Sequence, residues 1–229
     1  IMLKGANLVQ GIAFAPDGEF ALTTLIRTKN LIPITRINRG WVITNGIGII
    51  WKNGKHDQLL LDRLGDYFAD PTDVIISPNK KYAFVSGGGI DAVAVIDLEQ
   101  MKAVISRFSD RDRREVMPNH LGISHEYVVK RIPVGKSPRG LAVSKDSRHV
   151  YVANGLDDTV SVIDIEQLEV SHTIDLGGPK EMTRVRFGEQ VFHSARATFG
   201  NQFSCHTCHP DGGIDAITYD LEPDGLGIN

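Results

Sequence analysis

The chain has 229 residues, 41% of them hydrophobic, and a formal net charge of −3. That length allows one large domain or two small ones, the near-neutral charge argues against non-specific nucleic-acid binding, and no run of about 18 apolar residues is present to span a bilayer. No basic stretch leading into an apolar one opens the sequence, which starts at Ile1 rather than methionine, so a mature or trimmed chain is expected.

In chain order, the first unit is a turn at Ala15, Pro16, Asp17 and Gly18, followed by a hairpin in which Ile47 to Trp51 turns at Asn53 and Gly54 into Gln58 to Leu61. Between them, Arg27 to Asn45 reads as an insertion. The stretch from Pro71 to Val104 then aligns without a gap on Pro138 to Ser171, a shift of 67 positions. Identical pairs include Ser77/Ser144, Val85/Val152, Gly88/Gly155, Asp91/Asp158, Ile96/Ile163, Asp97/Asp164, Glu99/Glu166 and Gln100/Gln167. Self-similarity at fixed offset marks a repeat architecture.

Each repeat reads as short antiparallel strands. In the later copy these are Leu141 to Ser144, His149 to Ala153, Thr159 to Asp164 with period-2 alternation, and Glu169 to Asp175, separated by turns at Lys145 to Ser147 and Asn154 to Asp157. Four such strands make one propeller blade. Gly87, Gly88 and Gly89 are expected at a blade turn, where glycine supplies positive φ. Ser106 to His125 is a second expected insertion; its Arg107, Arg111, Arg113 and Arg114, interleaved with Asp110, Asp112 and Glu115, read as a solvated loop with partner docking as the alternative.

After a Gly177, Gly178, Pro179 junction the composition changes, and Phe187 to Ala197 has helical character with Val191 and Phe192 on one side. The strongest chemical signal follows: Cys205, His206, Thr207, Cys208 and His209 form a CxxCH box holding both cysteines of the chain. Two thiols at this spacing can form thioether bonds to one haem, and the histidine beside the second is placed to ligate its iron. A zinc site recruiting distant histidines such as His193 or His172, or a redox dithiol, are the alternatives. Local candidates for a second axial ligand are Met182, His193 and His206, of which His206 is discounted because it lies inside the attachment loop. Asp211 and Asp215 beside Gly212 and Gly213 raise calcium, but the 12-position EF-hand spacing is absent. Glu189, Asp211, Asp215, Asp220, Glu222 and Asp224 face only Arg196 over this tail, an acidic rim able to steer a basic redox partner or to be a solvated loop.

Tyr151 to Asn154 followed by Thr159 to Asp164 (TVSVID), and more loosely Phe84 to Gly87 followed by Ala92 to Asp97 (AVAVID), resemble the YVTN-type β-propeller repeat family over roughly residues 7 to 176. Gly188 to Phe192, Phe203 to Cys205 and Cys208 to Gly212 resemble the opening of the cytochrome domain in bacterial di-haem cytochrome c peroxidases and their methylamine-utilisation relatives. That resemblance carries over Cys205 and Cys208 as haem attachment points and His209 as the proximal, metal-binding ligand, and no catalytic residue. The sequence has no second CxxCH, so a peroxidase-like activity would need a second haem from elsewhere.

The sequence therefore predicts a mainly β protein: about three propeller blades in an incomplete ring over 1–178, then a small, mostly α or irregular cytochrome c-like segment over 179–229. Because propellers close with 4 to 8 blades, further sequence or other subunits are expected to complete the ring. One covalent haem c, a redox partner protein or other subunits of a complex, and a periplasmic or otherwise extracytoplasmic location complete the expectation. Its role is electron transfer or peroxide-linked oxidation, the alternative being a propeller that serves as a binding or assembly module with a structural or relay haem.

Overall fold

The strands pair as the alternation requires, into three antiparallel sheets. The structure, a computed structural model, describes residues 3–29, 42–179 and 181–220. The first sheet contains β1 (Ala6–Asn7), β2 (Ile12–Phe14), β3 (Phe20–Thr28), β4 (Ile43–Trp51) and β5 (His56–Leu60), with β1 and β2 both pairing β3. The second is a meander of β6 (Pro71–Ile76), β7 (Tyr82–Gly87), β8 (Ala92–Asp97) and β9 (Val128–Pro133). The third repeats it with β10 (Pro138–Val143), β11 (His149–Asn154), β12 (Thr159–Asp164) and β13 (Glu169–Asp175).

The repeat is visible atom by atom in the first turn of each sheet. Ala15, Ser77 and Ser144 donate their backbone N–H to Phe20, Tyr82 and His149 at 2.8, 2.9 and 2.9 Å. Each turn closes through one left-handed residue: Gly18 at φ +71°, Lys80 at +58° and Ser147 at +57°. In the second and third turns the serine hydroxyl and the carbonyl of Asn79 or carboxylate of Asp146 bond locally, the reason short polar side chains suit such turns.

Identical residues do not always give identical structure. Asp97 and Asp164 cap the next turn in the same way, each Oδ1 accepting from the N–H groups two and three residues on at 2.8 to 3.0 Å. Leu168 then takes φ +53° and the chain turns into β13. At the matching point Met101 continues a helix, α1 (Leu98–Ser106), because Met101, Val104 and Ile105 provide a buried apolar stripe. The gap-free alignment through Val104 and Ser171 thus overruns the structural repeat, and the second insertion begins at Leu98 rather than Ser106. The fourth strand of the second sheet comes only after it, as β9.

The first insertion is also narrower than Arg27 to Asn45. Arg27 and Thr28 belong to β3, Ile43 to Asn45 belong to β4, Thr28 pairs with Ile43, and Lys29 N–H donates to Val42 O at 2.6 Å; residues 30–41 lie outside the described residues. Gly87, Gly88 and Gly89 do not take positive φ; Asp91 does, at +56°. What requires glycine there is close approach. A Cβ on Gly87 would lie 2.8 Å from the Phe68 ring, and one on Gly89 would lie 2.8 Å from Asp70 Oδ2.

Strand periodicity sends alternate side chains of the second sheet into two cores. Ala83, Val85, Ala94 and Ile96 join Phe20, Leu22, Ile47, Leu59 and Phe68 on one side, while Phe84, Val93 and Val95 join Val150, Val152 and Ile163 on the other. At the inner strands the sheets are also bonded: Thr72 Oγ1 donates to Pro138 O at 3.0 Å, and Leu141 N–H donates to Asp73 Oδ2 at 2.9 Å. The outer face of the third sheet has no such partner among the described residues, and Tyr151 and Ile174 are exposed on it.

The second insertion, which carries the short helix α2 (Asp112–Glu115), docks on the hairpin of the first sheet. Arg113 grips the buried Asp57 through Nε at 2.8 Å and through Nη2, and Trp51 Nε1 donates to the same carboxylate at 2.6 Å. Arg107 pairs with Glu126, and Arg111 with Glu115. Arg113→Met leaves Asp57 with one donor, and because the arginine side chain is 20% exposed the expected loss is about 2 kcal/mol, below that of a fully buried pair. Urea unfolding measures it, and limited proteolysis shows faster cleavage between 106 and 125.

Candidate functional site

The segment after β13 returns to the first two sheets through a series of anchors. Helix α3 (Arg184–Phe192) starts where Thr183 Oγ1 accepts from Arg186 N–H at 3.1 Å, so it begins three residues before, and stops five residues short of, the Phe187 to Ala197 span expected from sequence. Arg186 reaches the β11–β12 turn, donating to Asp158 at 3.0 Å and to Gly155 O at 3.2 Å. Beyond the helix, Ala195 N–H donates to Gly89 O, and Gly200 O accepts from Tyr67 N–H, both at 2.8 Å. Asp91 receives Lys136 at 2.8 Å and Arg196 at 3.3 Å.

Gln202 is fully buried and completes the edge of the first sheet: its Oε1 accepts from Val42 and Ile43 N–H at 2.8 and 3.2 Å, and its backbone carbonyl accepts from Asn45 Nδ2 at 3.2 Å. Asn45 in turn meets Asp62, whose carboxylate takes the N–H of Asn45 at 2.6 Å and of Phe68 at 2.7 Å. Asn45 Oδ1 also accepts from Asp70 N–H at 3.3 Å.

Burial raises the Asp62 carboxyl from 3.8 to about 7, against the bonds from Phe68 and Asn45 that favour its charge. Between these values the folded chain holds a proton the unfolded chain has released, so stability is highest below about pH 4 and falls as pH rises through about 7. Asp62→Asn removes this group's share, at most about 4 kcal/mol at ~1.4 kcal/mol per unit. Urea unfolding of both proteins at pH 4.5 and 7.5 gives a shallower slope for the variant.

Network and CxxCH box meet at Asp70. Ser204 caps α4 (Cys205–Cys208), and a capping box joins it to Thr207, whose Oγ1 accepts from Ser204 N–H at 2.8 Å. Both hydroxyls then donate to one buried carboxylate: Ser204 to Asp70 Oδ2 at 2.5 Å and Thr207 to Oδ1 at 2.6 Å. Asp70 itself sits at φ +54°. Its carboxyl is pushed up by burial, with the two hydroxyls and the charge of His206 acting in the opposite direction.

The box presents its groups unequally. Cys205 is exposed and Cys208 is half-buried, and both are free thiols. Cys208 packs with Phe203 and Tyr219 against Ile26, Val42 and Ile43; burial raises its thiol. Tyr219 donates to Asp215 Oδ2 at 2.7 Å, and Asp215 N–H to Cys208 O at 3.0 Å. His209 N–H donates to Cys205 O at 3.0 Å, keeping its backbone in register with the turn.

The His209 ring is exposed and its Nδ1 lies 3.1 Å from Gly213 O. A carbonyl only accepts, so this contact holds the proton on Nδ1 and leaves the Nε2 lone pair free, the tautomer an iron-ligating imidazole needs. Two unpaired thiols on one helical turn with this imidazole next in sequence fit a covalently attached haem. Of the distant histidines named for zinc, His172 lies on β13 beside Ser171, and among the described residues no three His, Cys, Asp or Glu side chains converge. His206 is buried and packs against His193, ring centroids 4.5 Å apart and planes tilted by 46°, with Phe192 against both. Burial lowers both imidazoles, His193 to about 4. Met182 is exposed in the linker ahead of α3.

The acidic rim is reduced. Asp220 is buried and Asp215 is occupied by Tyr219, while Glu222 and Asp224 lie outside the described residues. The sequence reading missed Asn45, Asp62, Asp70, Gln202, Ser204 and Thr207. Only Ser204 and Thr207 carried a signal, as Ser-x-x-Thr around the box. No helix among the described residues is long and apolar enough to cross a membrane.

No family model matches the chain. It is 28% identical over 165 residues to the hydrazine synthase subunit beta of Kuenenia stuttgartiensis, a match covering 71% of this chain and 42% of that one. The solved Kuenenia stuttgartiensis hydrazine synthase superimposes with a TM-score of 0.66 at 28% identity, over 70% of this chain and 46% of that chain. The chain therefore spans less than half the length of the relative it matches, and the likeness assigns its mainly antiparallel sheets to a propeller-type fold.

Proposed function

We propose that this chain is a haem-carrying, propeller-based subunit of a multi-subunit redox enzyme, transferring electrons through one covalent haem c on Cys205 and Cys208 with His209 as the proximal ligand. The observation that carries this reading is the Nδ1 contact of His209 with Gly213 O on a CxxCH turn set into the sheets. When bound, a c-type haem supplies a one-electron centre whose potential follows its axial ligands and surroundings. The residues of this chain set those surroundings: Cys208, Phe203 and Tyr219 form an apolar wall, and Gly213 fixes the imidazole tautomer. The subunit assignment is supported by the relative, itself named as a subunit.

In this reading residues 1–178 form three blades of a YVTN-like ring that other blades or subunits complete, and 179–229 open a cytochrome peroxidase-like segment. A periplasmic or other extracytoplasmic location follows from where c-type haem is attached. Haemochrome absorbance and intact mass of the purified chain test the cofactor, with one haem per chain expected on the peptide around Cys205. Free, mutually bridged or zinc-bound sulfurs overturn it. Peroxide turnover by the chain with its partners would instead place it in a peroxidase-like oxidoreductase.

A further inference from the structure

We propose that Asp70 is the positioning residue of the haem-attachment turn, a carboxylate on the connection leading into β6 that receives both hydroxyls flanking the thiols and fixes the box on the propeller. The inference deepens the haem reading and rests on it. Three observations carry it. Ser204 and Thr207, one residue before Cys205 and one before Cys208, donate to the two oxygens of the same side chain. Asp70 is 4% exposed, so water does not compete for those oxygens. Its own backbone is set by Asn45 and by the left-handed φ, and Gly89 leaves room where any Cβ would strike Oδ2.

The geometry is that of a two-point mount. A four-residue helix does not hold its own conformation in water; here both its cap and its third position are tied to a buried acceptor. Charge-assisted hydrogen bonds from hydroxyls to a carboxylate are shorter and stronger than neutral ones. Loss of the mount frees the turn while leaving the two large cores between the sheets, which hold no residue of the box, in place. The half-buried Cys208, wedged against Phe203 and Tyr219, is the thiol that responds.

The test compares the full chain with Asp70→Asn and, because a buried aspartate variant can fail to fold, with Thr207→Val, which removes one donor to Asp70 and with it the acceptor of the Ser204 N–H. In haem-free folded protein, judged by circular dichroism, the alkylation rate of Cys208 relative to Cys205 is expected to rise about tenfold in either variant, the factor that corresponds to ~1.4 kcal/mol at the low end of a hydrogen bond to a charged group. In protein made with haem attachment, the fraction carrying both thioether bonds falls severalfold. Pairing Asp70→Asn with Thr207→Val separates positioning from the mere cost of an unsatisfied polar group: a mount stays lost in the pair, whereas a purely structural defect is relieved. An unchanged thiol ratio in both single variants, or recovery in the pair, overturns the role of Asp70. A wild-type chain that never takes up haem overturns the haem reading instead.

Discussion

Replacing Cys205 and Cys208 together by alanine is expected to abolish the proposed covalent haem attachment, and His209→Ala to keep the attachment while removing the proposed proximal nitrogen. The first variant loses the haem increment in intact mass and the haemochrome band. The second retains the mass increment, changes the absorption bands that report axial nitrogen ligation, and shifts its potential, since the axial donor is a principal determinant of it. The distinction arises because the thiols and the imidazole sit on different parts of the turn. Cys205 and Cys208 belong to α4, whereas His209 follows its last residue and is held by Cys205 O and Gly213 O. Equal mass for wild type and the double variant contradicts the attachment.

Phe84→Ala is expected to cost about 3–5 kcal/mol, the range for truncating a buried aromatic ring. Phe84 is fully buried between the second and third sheets, where it meets Val93, Val95, Val150 and Val152. Its neighbours are fixed in strands on both sides and cannot collapse into the space. Tyr151→Ala, on the open face of the third sheet, changes stability by no more than ~0.5 kcal/mol, as surface substitutions do. Urea unfolding of the isolated chain compares them, and a large Tyr151 effect would mean that its outer face is covered.

How far the sequence could be read follows from the range of the interactions. Strands β12 and β13 are legible to the residue because period-2 alternation and the turns flanking them are local. The CxxCH box is legible because covalent chemistry demands contiguous spacing. Helix α1 is misread because Asp97, Glu99 and Gln100 repeat Asp164, Glu166 and Gln167, and local caps cannot tell which continuation finds a buried face. Met101 and Ile105 decide it through contacts with distant residues such as Met117 and Tyr127. The glycine run reads as a turn with positive φ, whereas Gly89 is required by the carboxylate of Asp70 beside it. Asp70, Gln202 and Asn45 were invisible for the same cause: each is an ordinary polar residue until partners more than a hundred positions away arrive.

That separation bears on the order in which the molecule matures. Asp70 and Thr207 are 137 positions apart, and Gln202 and Val42 are 160 apart. Closing so long a stretch costs little more free energy than closing a short one, but it slows the search. During synthesis the partners carried by the first two sheets emerge and fold well ahead of those in the tail. The thiol-bearing turn thus meets a dock that is already folded.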